Sequence, residues 1–179
     1  MKKFKNFAAL TAFSMAFLLV FSLPSLAQNP KLTDPEIASV AVVANQIDIN
    51  YAAIAKEKSK NAEVLRFAET MTNDHKAIIA QAVELVTKLK VTPQDNAVSQ
   101  KLNADAEKTK KLLLKKSGKA FDKAYIDNEV AYHKTVIAAV TGLLIPEAQN
   151  AELKALLEKV VPALNAHLAH AEMVQKNFK

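Results

Sequence analysis

Histidine is the residue type in this chain with the clearest capacity for chemistry. The chain has four, His75, His133, His167 and His170. A neutral imidazole can accept a proton or bind zinc, copper or iron. Steps of four and three residues along three predicted helices trace apolar stripes that face a core. Each stripe is interrupted by one histidine, at 75, 133 or 167, while His170 lies on the flank of the last stripe. We therefore predict that three imidazoles face the core.

These three histidines also lie at similar heights along their helices. His75 and His133 each follow the start of their predicted helix by about 14 residues, or roughly 21 Å. His167 lies within about one turn of the midpoint of its helix. Asp48 is at the same height on the first predicted helix, at the edge of its apolar face. Because midpoints coincide whichever way helices run, three imidazoles and one carboxylate are predicted at one level.

Two interpretations of this level are open. In the first, His75, His133, His167 and Asp48 bind a transition-metal ion such as zinc, copper or iron, and Glu129, one turn before His133, supports them. In the second, the histidines are structural members of a buried hydrogen-bonded network. If a metal binds, the ordinary histidine pKa predicts that affinity falls as the pH drops through about 6.5. Asp74, adjacent to His75, is the other candidate for such support, although its position predicts that it points elsewhere, towards a surface contact.

The elements that must position these residues are helices. Caps, prolines and the helical period predict helices over about 33–59, 61–90, 94–117, 119–145 and 150–178. The links between them are short, which favours antiparallel neighbours. The predicted fold class is all-α, a ferritin-like up-and-down four-helix bundle. The polar helix 94–117 is additional and covers the side of the bundle or its loop-side opening. Pro162 is predicted to kink or divide the last helix.

The N-terminus reads as a targeting segment. Lys2, Lys3 and Lys5 precede an apolar run over 8–23, followed by Pro24 and a small-residue site ending at Ala27. This layout predicts a cleaved signal peptide over 1–27 and a single domain over 28–179. The mature protein is then expected to be periplasmic or secreted, without stable membrane insertion.

Composition excludes several classes of function. Loss of the three N-terminal lysines lowers the formal charge from +6 to +3, so the basic balance is weak support for nucleic-acid binding. Without cysteine there can be no disulfide or cysteine nucleophile, and two glycines cannot build a glycine-rich phosphate loop. No cofactor other than a metal ion is indicated, and catalytic residues and enzymatic activity are not predicted.

Three stretches carry a resemblance to a known family: FAETMTNDHKA (67–77), GKAFDKAYIDNEVAYHKTVI (118–137) and VPALNAHLAHAE (161–172). They resemble domain of unknown function family 4142, exported bacterial ferritin-like bundles often labelled outer membrane proteins. The resemblance implies a helical bundle and export, but no reaction. The chain lacks the Glu-x-x-His pairs of di-iron bundles, so it does not imply ferroxidase activity.

The sequence thus supports two hypotheses. In one, an exported envelope protein binds a metal ion through histidines in the bundle core. In the other, it is a non-catalytic envelope binding or stress-related module with structural histidines.

Overall fold

The computed structural model describes residues 31–178, and the predicted signal peptide therefore lies outside the described residues. The helices are α1 (Asp34–Lys58), α2 (Ala62–Leu89), α3 (Ala97–Leu114), α4 (Gly118–Ala139), α5 (Ile145–Glu147) and α6 (Ala151–Gln175). A π-helical turn, Val140–Leu144, joins α4 to α5, and a 3₁₀ turn, Lys176–Phe178, follows α6. Across residues 31–178 no strand occurs. The all-α prediction is confirmed.

The helix ends follow from local chemistry. The backbone N–H of Thr33 donates to Glu36 Oε2 at 2.8 Å, half of the predicted capping box. Asn61, Asn96 and Asn150 each accept bonds from two backbone N–H groups of the first turns of α2, α3 and α6. These side chains satisfy amides that have no partner inside a helix.

One predicted helix start was wrong, and one of the two alternatives predicted for Pro162 is excluded. The third helix does not open at 92–95: its cap is Asn96, since that side chain binds the N–H groups of Val98 and Ser99 at 3.0 and 3.1 Å. The last helix is not divided at Pro162 but runs through it. Proline removes one hydrogen bond there, and packing of the helix in the bundle offsets that loss.

Helix directions follow from contacts at the two ends of the bundle. Asp34, at the start of α1, accepts bonds from the N–H groups of Gln149 and Asn150, which precede α6. Lys58, at the end of α1, reaches the carbonyl of Leu114, at the end of α3. Helices α1, α3 and α6 therefore run one way, and α2 and α4 run the other. Because α2 and α4 are parallel, α3 must return the chain along the outside, where it packs on α1.

The four long helices form a ring in which each contacts two antiparallel neighbours. Their core has two parts. The aromatic part, near the end of α1, includes Tyr51, Phe67, Phe121 and Tyr125. The aliphatic part, near the start of α1, includes Ile37, Val40, Leu144, Leu153, Leu157 and Leu164. The predicted histidines lie between these two parts.

Within the described residues, α1 is long and apolar enough to span a membrane by length and composition. Half of its most apolar stretch is buried against the other helices. A core helix of a bundle has this same composition, so the criterion does not distinguish the two situations.

Candidate metal centre

One side chain from each of the four long helices meets at a single level of the core. Asp48 comes from α1, His75 from α2, His133 from α4 and His167 from α6. All four are buried, with Asp48 fully excluded from solvent. The imidazole centroids are 5.8 Å apart for His75 and His133, 5.1 Å for His75 and His167, and 5.5 Å for His133 and His167. The structure therefore brings together the three histidines that the sequence places at one height.

One nitrogen of each imidazole is held by a hydrogen bond that orients the ring. His75 Nδ1 lies 2.7 Å from Asn45 Oδ1, and His133 Nδ1 lies 3.0 Å from the carbonyl oxygen of Glu129. His167 Nε2 lies 2.8 Å from Asp74 Oδ2. In each case the partner is an oxygen acceptor, so the bonded nitrogen is the one that carries hydrogen. In the neutral form of each ring, the opposite nitrogen is then an open lone pair.

The opposite nitrogens point into the core without partners. His75 Nε2, His133 Nε2 and His167 Nδ1 are buried and make no hydrogen bond among the described residues. One ring nitrogen from each histidine lies within 4.8 Å of the other two. Three desolvated lone pairs facing one another are costly unless a cation or a proton lies between them. Histidines that bind metal in proteins show this same arrangement, with the outer nitrogen donating to an oxygen.

Asp48 adds a carboxylate at the spacing of a fourth ligand. Its Oδ2 lies 3.3 Å from His75 Nε2 and 3.5 Å from His133 Nε2. Two ligands of a tetrahedral ion with bonds of about 2.1 Å are separated by roughly 3.4 Å. These two distances are therefore those expected across a single ion. The donor set of three imidazoles and a carboxylate fits zinc or copper.

Glu129 lies beside Asp48 and contributes a second buried carboxyl group. Neither of its carboxylate oxygens has a hydrogen-bond partner among residues 31–178, and Oε2 lies 3.7 Å from His133 Nδ1. Asp48, Glu129 and His133 together form a second group of potential ligands within 4.8 Å. If both carboxyls ionise, they place two negative charges among neutral imidazoles. One divalent cation would neutralise them.

Burial dominates the ionisation of the site. It lowers the pKa of His75 to about 3 and that of His133 to about 4, since each loses the water that would stabilise its cation. Burial raises the pKa of Asp48 to about 8. Burial, followed by the negative charge of Asp48, raises the pKa of Glu129 well above its usual range. In the metal-free protein His75 and His133 are therefore neutral, and the carboxyls of Asp48 and Glu129 hold protons near neutral pH.

Two residues at the site differ from expectation. Asp74 does not point away from the cluster: it accepts the hydrogen bond from His167, while half of its side chain remains exposed. Asn45, which the sequence did not single out, holds His75. Asn45 lies three residues before Asp48 on α1, and this spacing was the available signal. His170 is separate from the cluster, with its ring 5.1 Å from that of Phe67.

Fold and site together define a class: an all-α up-and-down bundle with a cluster of buried histidines and carboxyls at its centre. The chain belongs to the family described as "Domain of unknown function (DUF4142)", whose model matches residues 22–174. The family resemblance seen in the sequence is thereby confirmed. No curated protein matches the chain.

A solved structure titled "CopM in the Cu(II)-bound form" is similar to this chain. The two share 17% sequence identity with a TM-score of 0.61, and the match covers 83% of this chain and 100% of that one. At this level of identity the similarity shows a common fold.

Proposed function

We propose that this protein is an exported metal-binding protein that holds one divalent transition-metal ion through His75, His133, His167 and Asp48. One observation carries the proposal. Three buried imidazoles each have one nitrogen bonded to an oxygen and the other buried without a hydrogen-bond partner among the described residues, and one ring nitrogen of each lies within 4.8 Å of the other two. A histidine with a purely structural role needs the hydrogen bond to oxygen. It gains nothing from a second buried nitrogen that has no partner.

Copper is the metal that we propose first. Imidazole nitrogen is a good donor for copper, and divalent copper binds a given nitrogen or oxygen site more tightly than the other first-row ions. The similar structure titled as Cu(II)-bound CopM supports the same choice. Zinc, which binds the same nitrogen and oxygen donors in tetrahedral geometry, is the competing ion, and iron is the third candidate.

The residues of the chain have separate tasks in this proposal. The three imidazoles bind the ion as neutral ligands, and Asp48 adds a charge that draws a cation into the core. Asn45, Asp74 and the backbone of Glu129 hold the rings in the tautomer that leaves a lone pair inward. The Glu129 carboxyl balances the remaining charge or holds a proton. A bound ion would supply Lewis acidity, and copper would also supply one-electron chemistry. We assign no reaction.

The alternative is a non-catalytic envelope binding or stress-related module in which the histidines only stabilise the core. The hydrogen bonds of Asn45, Asp74 and Glu129 are compatible with that role, since each satisfies one buried nitrogen. The two functions differ in whether the inward nitrogens bind an ion.

Metal content and calorimetry separate the two functions. Protein purified without a histidine tag should contain close to one ion per chain. The metal-free form should bind one Cu(II) when titrated, with zinc compared in parallel. His133→Ala should abolish tight binding because it removes a ligand from the centre of the cluster.

His170→Ala is the matched control, since His170 lies outside the cluster and should leave affinity unchanged. A wild-type protein that binds no copper, zinc or iron, and a His133→Ala variant that only melts at a lower temperature, would establish the structural alternative.

Export is the second part of the proposal. The apolar run at the N-terminus is compatible with a signal sequence, and cleavage after Ala27 would place the mature protein in the periplasm or outside the cell. Mass spectrometry of the protein from native envelope fractions should then find Gln28 as the first residue. An intact 1–27 segment would instead indicate a membrane-anchored protein.

A further inference from the structure

An apolar cavity reaches the histidine cluster from one side. It has a volume of about 80 Å³ and lies between α1, α2, α4 and α6, in the aliphatic half of the bundle. Its walls include Ala41, Ile78, Ala82, Leu85, Val136 and Leu157. At one end it meets Asn45, Asp48, His75 and His133, and the hydroxyl-bearing residues Tyr132 and Thr135 also line it. The cavity therefore joins an apolar passage to the polar centre.

The opposite side of the cluster is closed. Phe67, Phe121 and Tyr125 are fully buried beneath it, and the two phenyl rings each pack against the ring of Tyr125 at 6.1 and 6.2 Å. By contrast, Ile78, Ala82 and Leu85, one to three turns beyond His75 on α2, are only partly buried. A molecule that enters the bundle can thus reach His75 and His133 from the aliphatic side.

Size and polarity restrict what the cavity can hold. An engineered apolar cavity of about 150 Å³ in another protein stays dry and binds benzene or xenon. The present cavity has about half that volume, so it suits a molecule of two or three heavy atoms. Away from the histidine cluster, its aliphatic walls offer a water molecule no hydrogen bonds, and a charged or strongly polar ligand would lose its hydration there.

From these features we propose that the cavity binds an uncharged diatomic gas of the size of dioxygen or nitric oxide and places it against His75 and His133. Occupancy of the cavity needs only its shape and apolar walls. Delivery of the gas to a metal ion rests on the proposed function. In that case the gas would approach the ion from the aliphatic side, opposite Tyr125.

Nuclear magnetic resonance of the metal-free protein under dioxygen pressure tests the cavity. Dioxygen is paramagnetic, so it speeds the relaxation of nearby methyl groups. We expect a several-fold greater effect on the methyls of Ile78, Leu85 and Leu157 than on those of Leu112, which is 60% exposed on α3. The effect should saturate with pressure, and xenon should compete for the same methyls.

Ala82→Leu should remove most of this enhancement because the larger side chain fills the cavity. Ala80→Leu, on the exposed face of the same helix, is the matched control and should keep it. If Ala82→Leu fails to fold, Ala41→Val is the smaller change at the opposite wall. Equal enhancement at Leu112 and at the cavity methyls, or no difference between the two leucine variants, would overturn the inference.

The same samples distinguish this inference from the proposed function. Gas binding in a protein that binds no metal supports the cavity and removes the metal proposal. One-to-one metal binding without selective methyl relaxation removes the cavity inference and leaves the metal proposal intact.

Discussion

Asp48 shows how strongly the fold changes the chemistry of a single residue. On an exposed helix its carboxyl would ionise near pH 4 and remain hydrated. In the bundle it is fully buried, and neither oxygen has a hydrogen-bond partner among the described residues. An unpaired carboxylate in such a place is unfavourable, which is why burial raises the pKa of Asp48 to about 8. A cation bound between Asp48 and the imidazoles would reverse that cost.

We therefore expect Asp48→Asn to weaken metal binding while leaving the metal-free protein as stable as before, or more so. The change preserves shape but removes the charge that attracts the ion. We expect affinity to fall about 100-fold, or about 2.8 kcal/mol, in calorimetric titration. Asp105→Asn alters the formal charge equally at an exposed site paired with Lys101 and Lys108, and should leave affinity unchanged. Equal affinities for both variants would remove Asp48 from the ligand set.

The pH dependence of metal binding should also differ from that of a site built from histidines with an ordinary pKa. His75 and His133 remain neutral down to about pH 4, so their protonation does not oppose the metal near pH 6.5. Asp48 holds a proton up to about pH 8, and the ion must displace it. Affinity should therefore fall as the pH drops below about 8, by up to tenfold per pH unit for one displaced proton.

Calorimetry at pH 7 in two buffers with different ionisation enthalpies measures the protons released on binding. We expect at least one. A flat affinity between pH 7 and 8 with a decline centred near 6.5 would show that imidazole protonation controls binding.

At the scale of elements, three helices begin with the same kind of N-terminal cap, an asparagine side chain. Asn61, Asn96 and Asn150 each use a side-chain oxygen to accept bonds from two backbone amides. Asn150 also donates its own N–H to Asp34, which ties the start of α6 to the start of α1. The cap thus sets both where α6 begins and which end of the bundle it begins at.

Asn150→Ala should cost about 1 kcal/mol of unfolding free energy, because it leaves two amides of the first turn without their acceptor. Urea denaturation would measure this loss, provided that the slope of unfolding free energy against urea concentration is unchanged. Asn165→Ala is the control, since Asn165 is exposed in the same helix and alanine favours helix there. Metal affinity should be unaffected in both, as His167 lies roughly 25 Å along the helix from the cap. A loss at Asn165 as large as that at Asn150 would contradict the capping role.

At the scale of the whole molecule, the centre joins all four long helices through one side chain each. A bound ion would therefore stabilise the entire bundle. At a free metal concentration 100 times the Kd, the gain is about 2.7 kcal/mol. For a domain of this size, each kcal/mol raises Tm by roughly 2–4 °C.

We accordingly expect Cu(II) to raise Tm by roughly 5–11 °C in scanning calorimetry and a chelator to reverse the shift. Mg²⁺, which prefers oxygen ligands in octahedral geometry, should have no effect. His133→Ala should show no shift with Cu(II). An equal shift in that variant would mean that copper stabilises the protein through another site.

The features that could be predicted from the sequence are those set by interactions between residues close together in the chain. Helices, their caps and their apolar stripes depend on residues three or four positions apart, so the helical class and the bundle were predictable. His75, His133 and His167 were found in the same way, because a polar residue in an apolar stripe is a local signal. Their similar heights followed from the rise per residue. That they hold a metal stays a prediction.

The remaining features depend on how four helices rotate and cross. Asn45 meets His75 and Asp74 meets His167 only because α1, α2 and α6 present those faces to one another. The polarity of helix 94–117 indicated a place on the side of the bundle or at its opening, but the packing of α3 on α1 is a consequence of α2 and α4 running in the same direction. The cavity beside the cluster exists because aliphatic side chains from four helices leave a gap between them. Whether such side chains fill the space depends on all four helices together, so no short stretch of sequence indicates it. Sequence periodicity determined which residues face the core, and tertiary packing decided which partners they meet there.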